Sequence, residues 1–181
     1  MLMEISISSI DAARDQLEEA IAMLFQKRSP IATHTLASAA RGILIGLTKH
    51  TDVMSMSKYI EKFIPKVERK ATIDAWHEAQ NFFKHSRHKS KTLTFNSEDT
   101  EIFILDACLM YMCFTKKSFN SLNLFYVYMQ SKYPDIPILP DHIAQQIGDM
   151  NLDKDKCAEI FQKQFTKNQD DIFDLPINMG Q

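Results

Sequence analysis

Apolar residues recur at three- and four-residue intervals along most of this chain, a pattern that predicts an all-α protein. The first helix is expected from about Ile10 to Lys27, where Ile10, Leu17, Ile21, Leu24 and Phe25 share one face. Ser8 stands three residues before Asp11, as in an N-terminal capping box. Ser29-Pro30 ends this helix and opens a second that continues to about Lys49, because proline suits a first helical turn whose amide has no intrahelical partner. Leu36, Ile43, Leu44 and Leu47 provide its core positions. Ala32, Ala39, Gly42 and Gly46 lie near one another on it and predict close approach of a neighbouring backbone, which makes this the central helix. A short helix from about Ser55 to Phe63 stops ahead of Pro65, and a longer one from about Lys66 to Lys84 carries Ile73, Trp76, Ala79 and Phe83 as its apolar stripe.

The helical period fails between His85 and Ser97, where Leu93 and Phe95 alternate with Thr92 and Thr94 as in a short extended piece. It returns from Ser97-Glu98-Asp99 to near Thr115, and again in an aromatic-rich helix from about Ser118 to Lys132. Pro134, Pro137 and Pro140 form a turn-rich connector, after which one or two short helices cover about 141–167. The expected architecture is therefore a single-domain multi-helix bundle over 8–167, with a flexible acidic tail over 168–181.

Composition narrows the class without fixing an activity. A chain of 181 residues, 45% hydrophobic and 24% charged, is long enough to bury one sizeable core. A formal net charge of -2 argues against nucleic-acid binding through the overall field and leaves only a local basic patch for it. Cys108, Cys113 and Cys157 form no Cys-x-x-Cys pair, which fits a reduced, cytoplasmic setting; Cys108 and Cys113 are five apart and expected to be small apolar fillers. No apolar run approaches the roughly 20 residues needed to span a bilayer, so no membrane partner is expected. Gly-rich phosphate loops, nucleophile elbows and metalloprotease helices are absent from the sequence, and no cofactor is expected.

The densest candidate chemistry lies where the fourth helix ends, in Gln80-Asn81-Phe82-Phe83-Lys84-His85-Ser86-Arg87-His88-Lys89. His77, Asn81 and His85 follow one another at i, i+4 and i+8 and are expected along one ridge, with His34 of the second helix facing them. Lys84, Arg87, His88, Lys89 and Lys91 add donors able to hold a phosphate or carboxylate by charge-assisted hydrogen bonds. The competing structural explanation is that cations at a helix C-terminus simply oppose its dipole, at about 0.3 to 1 kcal/mol each. For His34 the simpler expectation is a partly buried imidazole bonded to a backbone carbonyl or to Asn81. Metal ligation by His34, His77 and His85 is disfavoured, since eight helical residues separate the last two by about 12 Å.

Several segments resemble a family of uncharacterised bacterial all-helical proteins: His34 to Ala40, the Asn-Phe-Phe-Lys-His run from Asn81 to His85, Thr92 to Phe95, and the apolar helix after Glu98. The likeness spans roughly Leu17 to Tyr133 and implies kinship but no activity. The basic run Arg87-His88-Lys89-Ser90-Lys91 departs from the more acidic loop of that family. More distantly, Gln80-Asn81-Phe82-Phe83-Lys84-His85 resembles the ribonuclease frame of the HEPN superfamily of helical bundles, an Arg followed by four to six residues and a His. Here Gln80 takes the place of the Arg, and a neutral amide cannot supply the cation that stabilises charge on a reacting phosphate. Arg28 and His34 have an allowed spacing but straddle the Ser29-Pro30 junction.

Two functions follow as expectations. The first is a noncatalytic helical binding or assembly module whose basic loop recognises a nucleotide, RNA or acidic protein, with the aromatic helix supporting a homodimer. The alternative is a divergent, metal-independent HEPN-type ribonuclease in which His85 acts as general acid/base beside Arg87 or Lys84.

Overall fold

The computed structural model describes residues 4–85, 92–135 and 153–166. Within them are seven helices and no strand: α1 (Ser9–Phe25), α2 (Pro30–Thr48), α3 (Met56–Phe63), α4 (Lys66–Lys84), α5 (Asp99–Thr115), α6 (Asn120–Lys132) and α7 (Lys154–Thr166). The fold is all-α, as the hydrophobic period predicts. The expected segments at 86–91, 136–152 and 167–181 lie outside the described residues.

Local chemistry accounts for the helix starts. Ser8, Ser29 and Ser55 each accept a hydrogen bond from a backbone amide three residues on, at 3.2, 3.4 and 3.2 Å, satisfying a donor that the helix itself leaves orphaned. Pro30 sits in the first turn of α2. At the other end of that helix Lys58 Nζ donates to the carbonyls of Thr48, Thr51 and Val53 at 2.9, 2.8 and 2.9 Å, which ties α3 to the α2 C-terminus.

The chain forms two compact units that divide after Ser118. In the first, α2 packs against α1, α5 and α4, so it is the central helix, while α4 otherwise packs on α3. Its core joins Leu17, Ile21 and Phe25 of α1, Ala37, Ala40 and Leu44 of α2, and Phe103, Ile104 and Met110 of α5. Close approach to α2 is made by Ala37 and Ala40, both fully buried. The expectation for Gly42 and Gly46 is corrected: both are exposed, and a Cβ on either would meet nothing within 4 Å. They fall on the side of α2 turned away from Ala37, Ala40 and Leu44, because two residues of helix rotate a side chain by about 200°.

In the second unit α6 packs with α7. Leu122, Leu124, Phe125, Tyr126, Val127, Tyr128 and Met129 of α6 are all buried in the single chain, so its aromatic face is core. Cys108 is buried, as expected of a small apolar filler, whereas Cys113 is exposed. Among the described residues, no helix is long and apolar enough to cross a membrane.

Candidate functional site

The inner face of α4 does not follow the expected ridge. Ile73, Trp76, His77, Ala79, Gln80 and Phe83 are half-buried, whereas Asn81 and His85 are exposed. Four helical residues advance a side chain by about 400°, so each i+4 step drifts about 40° around the axis. His85 has also left the helix: it is the C-cap, with extended φ and ψ of -127° and 117°. The convergence of His77, Asn81 and His85 on His34 is thereby corrected. What α4 turns toward α2 is the set Trp76, His77, Gln80 and Phe83, with Lys84 at its end.

His34 lies at the centre of this face and is 1% exposed. Its partner is neither a carbonyl nor Asn81; Nδ1 and the hydroxyl of Thr100 on α5 share a hydrogen bond of 3.1 Å. The rings of Phe103, Phe95 and Phe83 surround the imidazole at centroid distances of 4.6, 4.9 and 5.8 Å. Phe95 and Leu93 are half-buried while Thr92 and Thr94 are exposed, so the alternation in this segment is real although no strand forms. Burial first, and then the positive charge of Lys84, push the His34 pKa down to about 4, leaving the ring neutral at pH 7.

Below His34 the same face of α2 carries Ser38 and Arg41, each 1% exposed. Arg41 Nε donates to Asp106 Oδ2 at 2.7 Å, and Nη2 donates to Ser57 Oγ at 3.0 Å. The other carboxylate oxygen of Asp106 accepts from the Met56 amide at 2.9 Å, so one buried ion pair fastens the start of α3 to α2 and α5. The Arg41 guanidinium also lies 5.1 Å from the Phe103 centroid and 5.9 Å from that of Trp76, and those two rings stack at 4.8 Å. Phe103 is thus the hub around which His34, Arg41, Trp76 and, at 6.4 Å, His77 are arranged.

His77 Nδ1–H donates to Gln80 Oε1 at 3.1 Å. Burial lowers the His77 pKa despite that bond. The residue standing in the arginine position of the ribonuclease frame is therefore occupied with a histidine on its own helix. Arg28 is held at the surface by Glu19 at 2.8 Å, apart in environment from buried His34. Lys84 is exposed as a residue, yet nearby protein mass excludes part of the water from its ammonium and lowers its pKa. Among the described residues no carboxylate pairs with it. Its positive charge helps to lower the pKa of both His34 and His77.

Arg87, His88, Lys89 and Lys91 lie outside the described residues. Among those described, no group of three or more His, Cys, Asp or Glu side chains is placed to hold a metal. Sequence reasoning missed Thr100, Phe103 and Asp106. A signal for Asp106 existed: Arg41 is the only Lys, Arg, Asp or Glu of α2, and Asp106 is the only such residue of α5 beyond Glu101, a complementary pair set in apolar surroundings. In comparisons with family models, curated proteins and solved structures, this chain matches none.

Proposed function

We propose that the protein is a noncatalytic helical binding module that recognises an anionic partner at the C-terminal end of α4. The observation that carries this reading is Lys84, a partly desolvated ammonium without a carboxylate among the described residues. A charge in that setting gains more from an incoming anion than a fully hydrated lysine does, because less water must be displaced and less of it screens the contact. His85 is exposed beside it, and the sequence continues into the cations Arg87, Lys89 and Lys91. A half-buried Phe82 adjoins this end of the helix and suits a partner with planar rings, such as a nucleotide or RNA.

The test is a titration of a fluorescent single-stranded RNA with the full chain, with ATP and an acidic peptide as competitors. Lys84→Ala, and Arg87→Ala/Lys89→Ala/Lys91→Ala together, are expected to weaken binding about tenfold or more and to flatten its salt dependence, with unfolding little changed. Equal binding by wild type and both variants contradicts the proposal. The exposed position of His85 beside Lys84 supports the alternative, a divergent HEPN-type ribonuclease, and the same samples read it: metal-independent cleavage lost in His85→Ala would replace the binding module by an enzyme.

A further inference from the structure

Three buried polar atoms on the facing sides of α2 and α4 have no hydrogen-bond partner among the described residues: His34 Nε2, Ser38 Oγ and Trp76 Nε1. His34 and Ser38 are each 1% exposed and stand one turn apart on α2, and His34 and Trp76 both contact the Phe103 ring. An unmet buried donor or acceptor is costly, so three on the facing sides of one helix pair are unusual for a region serving only as core.

We infer that these atoms line a second, interior site between α2 and α4 that takes a small oxyanion, a carboxylate or phosphate. The chemistry of the donors selects the class. Trp76 Nε1 only donates, Ser38 Oγ–H can donate, and the neutral His34 ring donates from Nε2 in the tautomer whose Nδ1 accepts from the Thr100 hydroxyl. Three donors then face a ligand rich in acceptors. Water would meet some of them, but it does not answer the charge of Lys84, which has no carboxylate among the described residues, whereas an oxyanion answers both. Arg41 does not compete for the ligand, because Asp106 and Ser57 already hold it. Access lies beside α4, which has no fully buried residue and whose helix contacts are with α2 and α3, apart from the rings of Trp76 and His77 against Phe103 of α5. The inference shares Lys84 with the proposed function but needs neither the loop cations nor a macromolecular partner.

Trp76 is the only tryptophan of the chain, so its emission reports on this site alone. The full protein is titrated with sodium phosphate and with sodium acetate, at an ionic strength fixed by sodium chloride. A saturable change in Trp76 emission, together with a rise in Tm, is expected for at least one of the two, and their comparison says which oxyanion geometry fits. Ser38→Ala is the decisive variant: without ligand its Tm should equal or exceed that of wild type, since a partnerless hydroxyl is removed, while affinity falls at least about fivefold. Arg87→Ala/Lys89→Ala/Lys91→Ala should leave the Trp76 response intact even where RNA binding is lost, which separates the two sites. A non-saturating response to both anions, unchanged affinity in Ser38→Ala, or a clear loss of Tm in the ligand-free variant overturns the inference.

Discussion

His34 occupies its place at the expense of its charge. An imidazole buried among three phenyl rings and subject to the positive charge of Lys84 is neutral in the folded protein down to a pKa of about 4, whereas in the unfolded chain it titrates near the ordinary value of 6.5. Between those values the unfolded state binds more protons, so stability is complete above about pH 6.5, declines as pH falls toward about 4, and levels off below. His77, lowered in the same direction, adds to the decline. The His34 part amounts to on the order of 3 kcal/mol. Urea unfolding of wild type and His34→Gln from pH 7.5 to 4.5 checks this: the difference between the two curves should shrink with acidity, and parallel curves would refute it. Arg41 and Asp106 present the opposite case of charges kept by mutual burial. Asp106→Ala should cost about 3 to 5 kcal/mol, because it strands a buried guanidinium. Arg41→Met/Asp106→Leu, measured in the same way, should recover much of that loss.

At the scale of the element, much was legible because helix ends obey local chemistry. Ser8, Ser29 and Ser55 caps, Pro30 in a first turn and Pro65 as a stop give boundaries within a few residues of those observed for α1 to α4. Which face turns inward was harder to read. On α4 the apolar stripe Ile73, Trp76, Ala79 and Phe83 was visible, but the histidines and amides on either side of it divide by small rotations about the axis, and His77 falls in while Asn81 falls out. On α2 small residues lie all around the helix, and size alone could not say that Ala37 and Ala40, not Gly42 and Gly46, meet the neighbours. That distinction is testable: Gly42→Ala and Gly46→Ala should each stabilise the protein by roughly 0.5 to 1 kcal/mol in thermal or urea unfolding, since alanine restricts the unfolded chain and meets no obstacle. Destabilisation would mean that another helix packs on that side of α2.

For the molecule as a whole, the contacts that build the candidate site are long in sequence. His34 and Thr100 are 66 residues apart, and Arg41 and Asp106 are 65 apart, so no local pattern links them; packing of α2 on α5 does. The amino-acid sequence announced the chemistry of the Asn81–His85 segment without showing that Lys84, at the end of α4, is the group without a carboxylate among the described residues. The register of α4 therefore decides which side chains reach a partner. Its most direct test is the RNA titration repeated with Asn81→Ala and Lys84→Ala side by side. Lys84→Ala is expected to lose about tenfold or more in affinity, while Asn81→Ala stays within about twofold of wild type. The reverse order, with Asn81 essential and Lys84 dispensable, would contradict it.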